Sequence, residues 1–118
     1  MVTLAQEPCG REQRALALSE TEIAALLAQV PAWRREGGRL VRDFAFADYH
    51  HTMAFVNAVA AVAHDADHHP VLVVRYGSCR VEFSTHDCDG LSRKDFICAA
   101  RVDQVHAAGD CVRRGGSV

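Results

Sequence analysis

The sequence predicts an α+β layer, in which a four-stranded antiparallel sheet carries helices packed on one face. The predicted element order is α-β-β-α-β-β-α. Three observations lead there. Two glycine turns, Gly37-Gly38 and Gly77-Ser78, each sit between short runs of strand-like residues and so mark two hairpins. Segments with apolar residues at helical spacing lie before, between and after those hairpins. No linker-like stretch divides the 118 residues, so both hairpins belong to one sheet.

Residues 1–17 are polar and aperiodic and read as a flexible N-terminal arm. Ser19 followed by Glu22 forms a capping box, and Leu18 with Ile23 supplies the flanking hydrophobic staple. Ile23, Leu26, Leu27 and Val30 make the apolar stripe of this first helix, which Pro31 stops. Trp33 to Arg35 and Leu40 to Phe46 form the first hairpin; Leu40, Arg42, Phe44 and Phe46 share a face, and Arg42 breaks its apolar character. Asp48 caps a long helix reaching about Ala66, with Thr52, Phe55, Val56, Val59, Val62, Ala63 and Ala66 in helical register. His68-His69-Pro70 ends it, because a proline disfavours helix in the residue before it. Val71 to Tyr76 and Cys79 to Thr85 form the second hairpin, with Cys79, Val81, Phe83 and Thr85 on its buried face. A turn at Asp89-Gly90 leads to Ser92, which with Asp95 caps a third helix buried through Phe96, Ile97, Ala100 and Val105. The domain therefore spans 18–108, and 109–118 reads as a frayed tail.

Composition narrows the function classes. The chain is 49% hydrophobic and 24% charged with a net charge of −2, which excludes a disordered tail protein, a collagen and a coiled-coil rod. The near-neutral balance speaks against a nucleic-acid partner. Five cysteines, an odd number with no C-x-x-C spacing, point to reduced thiols. The N-terminus lacks the basic and apolar regions of a signal peptide, and the longest apolar stretch, Ala58 to Ala63, is too short for a bilayer. The expectation is a cytoplasmic protein with no membrane contact.

Histidine is the unusual entry. Seven occur, and His64, His68, His69 and His86 fall within 23 positions. Imidazole exchanges protons near neutral pH. His64 and His68 are four apart, so a helix persisting that far would place them on one face, while His86 closes the following strand. His50, His51 and His106 read as ordinary surface residues. Two chemistries suit the cluster. His-x-x-x-His offers two metal ligands, which Asp65, Asp67, Asp87 or Cys88 could complete, although Asp65 stands where a zincin needs glutamate. Metal-free proton transfer between imidazoles is the other. Residue types alone leave both open.

At these positions the sequence resembles the pterin-4a-carbinolamine dehydratase family. The family pattern is met by His64, then His68-His69-Pro70, Tyr76, His86 and Asp95. Ser84-Thr85-His86-Asp87 with Gly90-Leu91-Ser92, and upstream Pro31-x-Trp33 and Phe44-x-Phe46-x-Asp48, extend the likeness over residues 18 to 107. The resemblance implies the same fold assembled as a homo-dimer or homo-tetramer, and dehydration of 4a-hydroxytetrahydrobiopterin to quinonoid dihydropterin and water. It implies no metal and no organic cofactor, and a functional link to an aromatic amino-acid hydroxylase in tetrahydrobiopterin recycling. By carry-over His68 and His86 are the proton-transfer pair, His69 assists, and His64, Asp67, Ser84, Thr85 and Asp87 contact the pterin. The family often has glutamate where this chain has His64, so the resemblance implies a shifted pH optimum that His64→Glu would reverse. A dimerisation partner for transcription factors is the alternative the resemblance raises, and a metal-binding histidine cluster is the other.

Overall fold

The computed structural model describes residues 2–88 and 90–109. Its elements are α1 (Glu20–Leu27), β1 (Arg34–Glu36), β2 (Arg39–Ala45), α2 (Tyr49–Ala66), β3 (Val71–Arg75), β4 (Ser78–Phe83) and α3 (Arg93–Ala108), with single 3-10 turns at Leu4–Gln6 and His86–Cys88. All strand pairings are antiparallel and the sheet order is β1-β2-β4-β3. The predicted α+β class and element order are therefore the observed ones.

The local signals act as expected. Ser19 accepts from the Glu22 N–H at 3.1 Å while the Glu22 carboxylate accepts from the Ser19 N–H at 2.8 Å, which closes the capping box of α1. Gly37 turns the first hairpin at φ 60°, a left-handed conformation that glycine adopts without a Cβ penalty. Gly77 turns the second so tightly that a Cβ there would lie 2.9 Å from the Phe46 carbonyl oxygen.

Alternation puts Leu40, Phe44, Cys79, Val81 and Phe83 under the helices, where they meet Phe55, Val59, Phe96 and Val102. The opposite face is charged: Asp43 bonds both Arg34 and Arg80 at 3.0 Å, and Glu82 pairs with Arg39. Arg42 nevertheless stays on the helix side. Its guanidinium lies 4.3 Å above the Phe44 ring and bonds Asp103 of α3 at 2.6 Å, and the Trp33 indole N–H donates to the same carboxylate oxygen at 2.8 Å. A partner on α3 thus makes a charge acceptable in the apolar layer.

Three expectations need correction. The N-terminal arm is packed along α3, not loose. Leu4 and Cys9 are buried, Glu7 takes both ends of the Arg93 guanidinium at 2.6 and 2.7 Å, and Arg101 donates to the carbonyls of Ala5 and Glu7. The Cys9 thiol also interacts with the Cys98 thiol of α3, which lowers the Cys9 pKa to about 7 and raises that of Cys98. His51 is buried, not on the surface; its ring Nδ1 and backbone N–H both meet Asp48 Oδ1, at 2.6 and 2.9 Å. His106 is half-buried against Phe44, Phe46 and Phe55. Only His50 of the three is exposed. The expected turn residue Asp89 and the tail from residue 110 lie outside the described residues.

Candidate active site

The site is built where α2 ends. Asp67 caps that helix in the left-handed conformation, at φ 50° and ψ 44°. Its N–H reaches the His64 carbonyl at 3.2 Å and the His68 N–H reaches the Ala63 carbonyl at 3.1 Å, so the last turn is closed. This reversal corrects the reading of His64 and His68 on one helical face. His64 remains on the exposed side of α2, whereas His68 is turned inward.

His68 is the anchored imidazole. Its Nε2 lies 2.6 Å from Oδ1 of Asp95, whose side chain is 0% exposed against 13% for His68. Asp95 Oδ2 accepts from Thr85 Oγ1 at 2.7 Å and from the Ser92 N–H at 3.0 Å, and Thr85 Oγ1 is also 2.8 Å from Ser92 Oγ. The α3 capping box is therefore also the support of His68. Below the ring lies Phe83, nearly parallel at 8° with centroids 6.1 Å apart. A carboxylate can only accept, so Nε2 carries the proton between the two groups, and Nδ1 has no partner among the described residues. The ring is thus held in one tautomer and orientation.

Around His68 lies a cavity of about 470 Å³. His69, His86, Asp67, Asp87, Ser84 and Thr85 all line it. Seven of the eight residues expected at the site are therefore brought together, and His64 is the one left out. His69, His86 and Asp87 are exposed to solvent, while Thr85 is buried and spends its hydroxyl on Asp95 and Ser92. Among the described residues no group of three or more His, Cys, Asp or Glu side chains is placed to hold a metal ion.

The lining also includes residues that sequence reasoning did not assign: Arg11 and Ala15 from the N-terminal segment and Lys94 from α3. Asp95 appeared as a helix cap and as the last position of the family pattern, a coincidence that could have marked it as part of the site. Arg11 had no such signal, since 56 residues separate it from Asp67, whose Oδ2 it meets at 3.2 Å.

The family model described as pterin 4 alpha carbinolamine dehydratase matches residues 16–105. The chain belongs to this family. A Xylella fastidiosa protein named "Putative pterin-4-alpha-carbinolamine dehydratase" is 46% identical over 112 residues, covering 92% of this chain and 97% of its own. A Stenotrophomonas maltophilia protein of the same name is 52% identical over 105 residues, covering 86% and 90%. Among solved structures, a Brucella melitensis protein described as a transcriptional coactivator/pterin dehydratase is 26% identical with a TM-score of 0.71, covering 75% of this chain and 96% of its own. A pterin dehydratase-like protein described as a RuBisCO assembly factor in the α-carboxysome is 28% identical with a TM-score of 0.55, covering 63% and 88%. The carbinolamine dehydratase fold thus serves more than one described role, and the side chains in the pocket bear on which one applies here.

Proposed function

We propose that this chain dehydrates 4a-hydroxytetrahydrobiopterin to quinonoid dihydropterin by imidazole acid–base catalysis. The observation that carries the reading is the anchored His68 facing the same cavity as His69 and His86. Elimination needs two proton movements. The 4a-hydroxyl takes a proton and leaves as water, and the N5 proton is removed as the C4a–N5 double bond forms. His68 and His86 divide these roles, since imidazole is competent as acid or base near neutral pH. His69 positions the ring, with Asp67, Ser84 and Asp87 as the expected pterin contacts. Thr85 acts through Asp95. The reading needs neither metal nor organic cofactor. On this reading the protein works in the cytoplasm, regenerating the pterin that an aromatic amino-acid hydroxylase has used.

The test follows decay of enzymatically generated carbinolamine. Wild type is expected to accelerate it with or without chelator, and His68→Ala and His86→Ala each to lose on the order of 10²–10⁴-fold in kcat. A wild-type chain that leaves the spontaneous rate unchanged overturns the reading, and loss of activity to chelator favours a metal site instead.

The open edge of the sheet supports assembly with copies of itself. On β3, Val71 and Val73 are exposed apolar residues, and Tyr76 follows with 68% of its surface exposed. An apolar edge strand of this kind invites pairing. Sedimentation equilibrium is expected to give a dimer or tetramer that Val73→Lys dissociates; a monomeric wild type refutes the assembly.

A further inference from the structure

One wall of the cavity plays no part in the proton transfers, and it is made by the N-terminal segment. We propose that Arg11 selects pterin carbinolamines whose C6 substituent carries an oxyanion, a carboxylate or a phosphate, with Lys94 as the second cation of the same subsite. The proposal rests on the pterin reading of the pocket and adds oxyanion-bearing pterins to its substrates beside 4a-hydroxytetrahydrobiopterin, whose C6 side chain is uncharged.

The position of Arg11 is built. Glu7 is clamped by Arg93 through two bonds, Arg101 holds the Glu7 carbonyl at 2.8 Å, and Cys9 is buried. Lys94 Nζ then bonds the carbonyl of Gly10 at 2.9 Å, which brings its ammonium beside the residue before Arg11. Arg11 Nε meets Asp67 Oδ2 at 3.2 Å, which places the guanidinium at the C-terminal end of α2. Both cations line the cavity that His68 lines.

Their donors are incompletely used. With Nε committed to Asp67, both terminal nitrogens of Arg11 lack a hydrogen-bond partner among the described residues, and the side chain is 87% exposed. Lys94 spends one of three donors on Gly10. Asp67 is the one carboxylate bonded to either cation among the described residues; Asp87, also in the lining, bonds neither. A planar guanidinium fork with open terminal nitrogens matches a carboxylate or phosphate in two parallel bonds, and the ammonium adds a point charge. A methyl group at C6 uses none of this. Arg11 also precedes the segment matched by the family model, which begins at residue 16. The subsite therefore joins a residue outside the matched segment to Lys94 and Asp67 within it.

Fluorescence titration tests it with stable pterins: 6-methylpterin, 6-carboxypterin, and 6-hydroxymethylpterin phosphorylated on its side chain. Wild type is expected to bind at least one oxyanion-bearing pterin about tenfold more tightly than 6-methylpterin, a difference of about 1.4 kcal/mol. The carboxylate and phosphate arms tell which anion fits. In Arg11→Ala the preference falls to about one, and Arg11→Lys, which keeps charge but loses the fork, retains part of it. Added salt weakens the preference, as for any charge contact on an exposed rim. Equal binding of all three by wild type overturns the proposal, as does an Arg11→Ala variant that weakens all three alike. Failure of the catalytic reading is seen separately, as no acceleration of 6-methyl carbinolamine decay. A chain that binds no pterin overturns the subsite as well.

Discussion

Asp95→Asn is expected to lower kcat by about 10²–10⁴-fold in a protein that still folds. The carboxylate has two jobs on two oxygens. Oδ2 takes two donors, from Thr85 and the Ser92 N–H, and Oδ1 meets His68 Nε2. An asparagine keeps its single oxygen where two donors compete for it, so its NH₂ faces Nε2. The imidazole must then accept at Nε2 and carry its proton on Nδ1, the reverse of the tautomer the carboxylate enforces. The ring remains in place with its proton on the wrong side. Asp95→Ala removes the support outright. Stranding the buried donors of Thr85 and Ser92, the latter the Asp95 half of the α3 capping box, costs about 1–3 kcal/mol. Steady-state kinetics on Asp95→Asn and urea denaturation of Asp95→Ala read the two effects. Wild-type kcat in the asparagine variant would show that His68 needs no fixed tautomer.

Phe83→Ala is the largest expected loss of stability, about 3–5 kcal/mol. The ring is fully buried at the end of β4, with Trp33 5.9 Å away and His68 parallel to it. Truncation opens a cavity between the core and the site, so it also removes the surface on which His68 rests. Phe83→Leu keeps most of the volume and costs less. Unfolding midpoints in urea check the size of the effect, and an alanine variant within about 1 kcal/mol of wild type would mean that the site collapses to fill the gap.

These two residues show what was readable beforehand. Phe83 follows the alternation of β4, and Ser92 with Asp95 follows capping rules, so local chemistry marks both as structural. That Asp95 turns its other oxygen toward His68, 27 residues earlier, is a tertiary fact. Arg42 makes the same point from the other direction. The alternation put it on the apolar face, where it is, and the reason it is tolerated, Asp103, lies 61 residues away. His51 and His106 looked like surface residues because helix ends and starts carry such histidines; a carboxylate and three phenylalanine rings, respectively, cover them. The N-terminal segment has no periodicity to read: Lys94 and Arg101 reach its backbone, contacts that leave no trace in its own sequence, and Glu7 meets its partner Arg93 only 86 residues further on. The site histidines were legible because a fixed spacing carries them. Their orientation was not, since one left-handed residue decides it.

That residue, Asp67, sets a conflict for anyone wishing to make a sturdier version of the protein. Glycine is the usual engineering choice at a left-handed helix end and would relieve roughly 1 kcal/mol of backbone cost. It would also delete the carboxylate that orients Arg11 at the rim of the cavity. Thermostability and ligand choice thus compete for a single position, and a selection run on melting temperature alone would drive the chain toward a more robust but less discriminating pocket.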